Sequence, residues 1–249
     1  MELSITQAAA GHTPDGLPLY IFTLRNRHGM EVRIGTLGGA ITSLHAPDSH
    51  GRLVDVIHGQ GSDAGIHLLP APGHALHRQA WHALPLVDDA SVGLRLASPG
   101  APALVAVYIL DEANGLQLRC EAPAAAQATI CLRVAFNLAG GGDVLGHLLT
   151  VRAARAVTNG GHEQDVRGTA WDCRLPRPVG ELPGQARYLL EGRDAVLRLH
   201  DPLSGRQLEL DTDAASLRLG VGDPPAQLWL EPLMAAKGGS IRLQFGARA

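Results

Sequence analysis

Charge, cysteine and long hydrophobic runs are all scarce in this sequence, and each shortage removes a class of function. Asp, Glu, Lys and Arg together make up 18% of the 249 residues, below the roughly 25% of an average soluble domain. The net charge is -3. No run of Lys or Arg interleaved with aromatics supplies the positive field that neutralises phosphates, so nucleic acid is not an expected partner. The longest apolar stretch, Ala101 to Leu110, contains a proline and is far short of the roughly 18 residues that suggest a membrane span; no membrane association is expected. Three cysteines, Cys120, Cys131 and Cys173, are an odd number without metal-ligand spacing, which predicts free thiols and no metal site. The N-terminal residues show neither the positive segment nor the apolar core of a secretory signal, and the expected location is the cytoplasm.

What is plentiful points to β-structure. With 45% hydrophobic residues the chain has enough apolar material for a core, and its 30 glycines and 16 prolines are scattered along the whole length instead of gathering in a linker. That pattern predicts one domain over residues 1–249, a length that all-β sandwiches reach as a single unit. Between the turns the dominant signal is period two. Val196, Leu197 and Leu199 precede Asp-Pro-Leu-Ser-Gly-Arg, and Leu208 and Leu210 follow, which reads as a hairpin. Leu217 to Val221, Leu228 to Leu230 and Ile241 to Phe245 extend the pattern, so the last third reads as a β-meander. Val32 to Ile34, Ala103 to Leu110, Leu116 to Leu118 and Thr129 to Phe136 are further strands. Val144 to Val157 alone competes as a helix, and the alternation of Leu149, Val151 and Ala153 with Thr150 and Arg152 favours strand.

Three segments carry a family resemblance. Gly29 to Ile34 followed by Leu37-Gly38-Gly39-Ala40-Ile41-Thr42-Ser43-Leu44 resembles the opening signature of the aldose 1-epimerase (galactose mutarotase) family, and Asp55-Val56-Ile57-His58-Gly59 continues it. Phe136-Asn137-Leu138-Ala139-Gly140 is similar to the central motif of that family. Asp201-Pro202, Ser204-Gly205-Arg206 and Leu230-Glu231-Pro232 look like its C-terminal strands. The resemblance implies an all-β fold, the galactose mutarotase-like β-sandwich of twisted antiparallel sheets with a sugar-binding cleft, acting on a small-molecule sugar or glycan without a cofactor.

Mutarotation removes a proton from the anomeric hydroxyl and protonates the ring oxygen, so a base and an acid must face each other. The resemblance assigns the base to Glu231, the glutamate before a proline. Strand parity puts Trp229 on the same face, as a sugar platform or as core. Where the family has its acid histidine, this chain has Leu132-Arg133-Val134-Ala135. A guanidinium does not release its proton near neutral pH, so Arg133 joins Asn137 as a substrate-binding residue. Only Leu68 to Ala75 stands where the family has an arginine-bearing segment before Leu-His-Gly-Gly. The Gly-Gly is missing, and His77, with Trp81 following, is the remnant histidine and a substitute acid, water being the other. The family's Asp-His pair falls near Gln185-Ala186, which makes Gln185 a substrate-binding residue in its place.

Other readings carry less weight. His74, His77 and His82 match no metal-ligand spacing. Gly38-Gly39 and Gly140-Gly141-Gly142 lack the lysine and strand-to-helix setting of a phosphate loop, and no Gly-x-Ser-x-Gly nucleophile elbow occurs. Two functions therefore stand: an aldose 1-epimerase, impaired by the loss of its acid, and a non-catalytic carbohydrate-binding module derived from one.

Overall fold

The computed structural model describes residues 2–57, 65–69, 76–100, 103–122, 129–158, 161–222 and 227–247. Their strands, in chain order, are β1 (Ser4–His12), β2 (Pro18–Arg25), β3 (Glu31–Gly35), β4 (Ile41–Pro47), β5 (Leu53–Asp55), β6 (Gly65–Leu69) and β7 (His82–Val87). There follow β8 (Ser91–Ala97), β9 (Val105–Asp111), β10 (Gly115–Glu121), β11 (Thr129–Phe136), β12 (Leu148–Val151), β13 (Arg155–Val157) and β14 (Glu163–Asp165). The chain closes with β15 (Arg177–Pro178), β16 (Ala186–Leu189), β17 (Leu197–His200), β18 (Arg206–Thr212), β19 (Ser216–Val221), β20 (Leu228–Met234) and β21 (Gly238–Ala247). The helical content among the described residues is two single 3-10 turns, Leu76–Arg78 and Val179–Glu181.

These strands form three antiparallel sheets. The first is β1-β2-β3-β4-β5. The second runs β15-β12-β17-β18-β21-β10-β9-β8-β7, and the third β14-β13-β16-β19-β20-β11-β6. Side chains alternate along each strand, so one face of each large sheet is a row of apolar residues. Ala106, Tyr108 and Leu110 of β9, Leu208 and Leu210 of β18 and Ile241, Leu243 and Phe245 of β21 line the second sheet; Ile130, Leu132, Val134 and Phe136 of β11, Leu217 and Leu219 of β19 and Leu228, Leu230 and Met234 of β20 line the third. The two faces merge in one continuous core. Each fully buried large apolar side chain contributes roughly 1.5–3 kcal/mol, and this sandwich packing holds the sheets together.

The region expected as a β-meander is corrected. Its strands form where periodicity puts them, but the chain changes sheet twice. The hairpin of β17 and β18 belongs to the second sheet, β19 and β20 pair with each other in the third, and β21 returns to lie between β18 and β10. Period two tells which face a residue occupies and says nothing of the strand's neighbour. The stretch that competed as a helix is extended: β12 and β13, separated by Arg152 to Ala154.

A buried arginine joins the first and second sheets. Arg206, 3% exposed, donates to the carbonyl oxygens of Ala46 at 3.2 Å, Leu138 at 3.1 Å and Arg52 at 2.9 Å and lies 3.5 Å from Asp48. A cleft of about 470 Å³ beside it is lined by Asp48, Arg52, Asp201 and Ser204. Its polar groups already hold one another, since Asp201 accepts from Ser204 Oγ at 2.5 Å.

A candidate sugar site on the open face of the third sheet

One face of the third sheet packs into the core, and the other carries the polar side chains of the site. In β20, Leu228, Leu230 and Met234 point into the core, so Trp229, Glu231 and Leu233 point the other way. Antiparallel register then selects what stands beside them. Glu231 is directly opposite Arg218 of β19, and Trp229 is opposite Gly220. On the other side the β11 register runs from Cys131↔Leu233 to Val134↔Leu230, which puts Arg133 across from Glu231. Arg133 pairs in turn with Gly65 of β6, and Cys131 with His67.

Glu231 sits low in this face, 5% exposed. One carboxylate oxygen pairs with Arg218 Nη1 at 3.1 Å, and the other accepts from the Cys131 thiol at 3.4 Å. Burial and the neighbouring Glu231 charge push the Cys131 thiol pKa well up, so this sulfur stays a protonated donor to the carboxylate. Each carboxylate oxygen has a second lone-pair site, which leaves Glu231 accepting capacity beyond these two partners.

Trp229 gives the site an aromatic surface. Its ring lies against Gly220, where an added Cβ would approach the ring to 2.6 Å and the Gln185 Cβ to 3.0 Å. Glycine is what lets the indole approach β19 this closely beside Gln185. The Arg133 guanidinium carbon stands 4.7 Å from the centroid of the same ring, a cation–π contact that holds the arginine over the face.

His77 approaches from outside the sheet. It lies in the 3-10 turn Leu76–Arg78, which Trp81 braces by donating from its indole nitrogen to the Leu76 carbonyl at 3.0 Å. The His77 ring stacks on His67 with centroids 4.5 Å apart and planes at 25°. Gly38, from the glycine pair of the opening signature, makes this docking possible. Its φ is +64°, and a Cβ there would lie 2.4 Å from His77 Cα.

Five of the six candidates read from the sequence thus gather on or against one face: Glu231, Arg133 and Trp229 on the sheet, Gln185 just before β16, and His77 through its stack on His67. Asn137 stands apart from these five. It is fully buried, donates from its amide to the Gly142 carbonyl at 3.1 Å and accepts from the Ala139 N–H at 3.0 Å. It shapes the turn after β11. His58, Gly59 and His74 lie outside the described residues. His82 is exposed on β7 in the second sheet, and among the described residues no three His, Cys, Asp or Glu side chains converge as a metal site. His67, Cys131, Arg187 and Arg218 were not legible as site residues. The signal is parity, since each lies next in sequence to a buried apolar residue of its strand: Ile66, Leu132, Tyr188 and Leu217.

The family model for aldose 1-epimerase matches residues 63–244. The chain belongs to the aldose 1-epimerase family. No curated protein matches it. Among solved structures, the galactose 1-epimerase from Lactobacillus acidophilus NCFM is similar over 100% of both chains, with a TM-score of 0.80 at 16% identity. The GalM/aldose epimerase homologue from C. elegans is similar over 97% of this chain and 100% of its own, with a TM-score of 0.78 at 14% identity. A galactose mutarotase-like protein from Lactobacillus casei ATCC 334 covers 91% of this chain with all of its own, at a TM-score of 0.64 and 14% identity. At such identities the likeness is one of fold: an aldose 1-epimerase-family β-sandwich. The open face with Glu231 is part of the region that the family model matches.

Proposed function

We propose that the protein interconverts the α and β anomers of an aldose by acid–base ring opening on the open face of the third sheet. The observation that carries this reading is a buried carboxylate, Glu231, beside an aromatic ring and the guanidinium stacked on it, in a chain of the aldose 1-epimerase family. The sugar lies beside Trp229 and its stacked arginine, with Arg133 and Gln185 donating to its hydroxyls. Glu231 takes the proton of the anomeric hydroxyl while an acid, His77 or a water, protonates the ring oxygen. The C1–O5 bond breaks, C1–C2 rotates, and closure on the opposite face of the carbonyl gives the other anomer. Every proton returned comes from one removed, so no cofactor enters.

The test is polarimetry on Glu231→Gln, which keeps size and one acceptor and removes the base. Removing a general base costs on the order of 10²–10⁴ in rate, and a variant as fast as the unaltered protein would refute the assignment. Arg133 favours a second reading, a carbohydrate-binding module without turnover, because an arginine does not deliver a proton at neutral pH. No rate above buffer together with saturable heats on sugar titration would establish that reading in place of the first.

A further inference from the structure

Arginines outnumber acids on the face that holds Glu231. One row crosses four neighbouring strands: Arg133 on β11, Glu231 on β20, Arg218 on β19 and Arg187 on β16, the last two directly opposite each other. Three arginines against one carboxylate leave two positive charges in excess. Arg218 is held by Glu231 at 3.1 Å. Among the described residues, neither Arg133 nor Arg187 forms an ion pair with a carboxylate. The row continues to Val157 and then Glu163, and Glu163 is engaged by Arg155 at 2.8 Å. The row above holds Ala135, Trp229 and Gly220, none of them charged.

Two guanidinium groups facing each other across a strand pair destabilise a sheet. A neutral sugar relieves none of that, because neutral donors serve its hydroxyls equally well. An anion does, since the planar fork of arginine matches phosphate and carboxylate oxygens two at a time. Strands are about 4.8 Å apart, so Arg187 stands roughly 10 Å from Glu231 along the row, on the side away from Arg133. A sugar with its anomeric carbon at Glu231 and its ring beside Trp229 extends across Arg218 toward Arg187.

We propose that this site takes an aldose bearing an anionic group, a phosphate or a carboxylate, which Arg187 binds together with Arg218. The proposal rests on the epimerase reading above and names its substrate class.

The test measures mutarotation of α-D-glucose, α-D-glucose 6-phosphate and α-D-glucuronate, with calorimetric titration of the same sugars and of inorganic phosphate, for the protein and for Arg187→Gln. At least one charged sugar is expected to exceed glucose in kcat/KM by on the order of tenfold, and Arg187→Gln to reduce that ratio by a similar factor through KM. Preference for the 6-phosphate identifies phosphate as the anion, and preference for glucuronate identifies carboxylate. Equal kcat/KM for all three overturns this inference and leaves the epimerase standing. Absence of turnover, with binding of a charged sugar that Arg187→Gln loses, ends the epimerase reading and keeps the anionic ligand. Inorganic phosphate binding as tightly as the preferred charged sugar, or no binding and no turnover with any sugar, overturns it. Thermal unfolding supplies an independent check: relieving the opposed charges keeps or raises Tm, and a lower Tm for Arg187→Gln would mean that the residue props the sheet, against the proposal.

Discussion

His147 shows how a single protonation step bears on stability. It is 2% exposed, and its Nε2 accepts the N–H of Leu138 at 3.1 Å, a bond that only the neutral ring can accept. Burial lowers its pKa from the ordinary 6.5, with Asp201 and Asp143 pulling against that and His200 adding to it. The folded pKa is therefore the lower one, and below about pH 6.5 the unfolded chain binds more protons. Stability present above that pH is lost as pH falls toward the folded pKa. Denaturant midpoints should be flat above neutrality and fall below pH 6.5, and His147→Gln, which cannot titrate, should flatten the fall. An unchanged pH profile in the variant would place the sensitivity elsewhere. His147→Ala leaves a buried N–H unpaired and should cost about 1–3 kcal/mol.

At the scale of elements, the site depends on how closely the turn Leu76–Arg78 and strand β6 approach the first sheet. Gly38 donates to the Gln79 carbonyl at 2.9 Å and accepts from the Ile66 N–H at 3.0 Å, so one residue binds the segments that carry His67 and His77. A side chain at positive φ costs roughly 1–2 kcal/mol on its own. At Gly38 it also meets the His77 backbone, and overpacking adds about 1–3 kcal/mol. Gly51 has φ +77° and open space around it, which makes it the control. Gly38→Ala should lower the denaturant midpoint clearly more than Gly51→Ala and slow mutarotation by shifting His77. Equal losses in the two variants would show that backbone conformation alone is felt.

The whole molecule protects its thiols. Cys120, Cys131 and Cys173 are all free and buried. Burial pushes the Cys120 pKa to about 12 and raises that of Cys173, against the pull of the Tyr188 hydroxyl. Thiolate is the reactive form, so a disulfide reagent at pH 8 should find essentially no rapid thiol in the native protein and three after denaturation in guanidinium. Rapid reaction of one or more native thiols would mean that a sheet opens locally far more easily than the packed core implies.

Much of this was legible without coordinates. Alternation along Thr129 to Phe136 and along Leu228 to Leu230 is enough to define strands and to put Trp229 and Glu231 on one face, because a strand's period of two is a property of the backbone itself. The motif residues around Gly38-Gly39 and Leu230-Glu231-Pro232 pointed to the family for the same local reason. Asn137 sits in such a motif too, yet its side chain turns inward, since the turn after β11 needs its amide. What only the tertiary structure decided is which strands become neighbours. The strands after residue 196 read as one meander but divide between two sheets, and Arg187, Arg218, Arg133 and Glu231 become one row only through the pairing of β16, β19, β20 and β11. Register across strands separated by up to a hundred residues depends on which apolar faces must close one core, and local sequence carries no record of that partner.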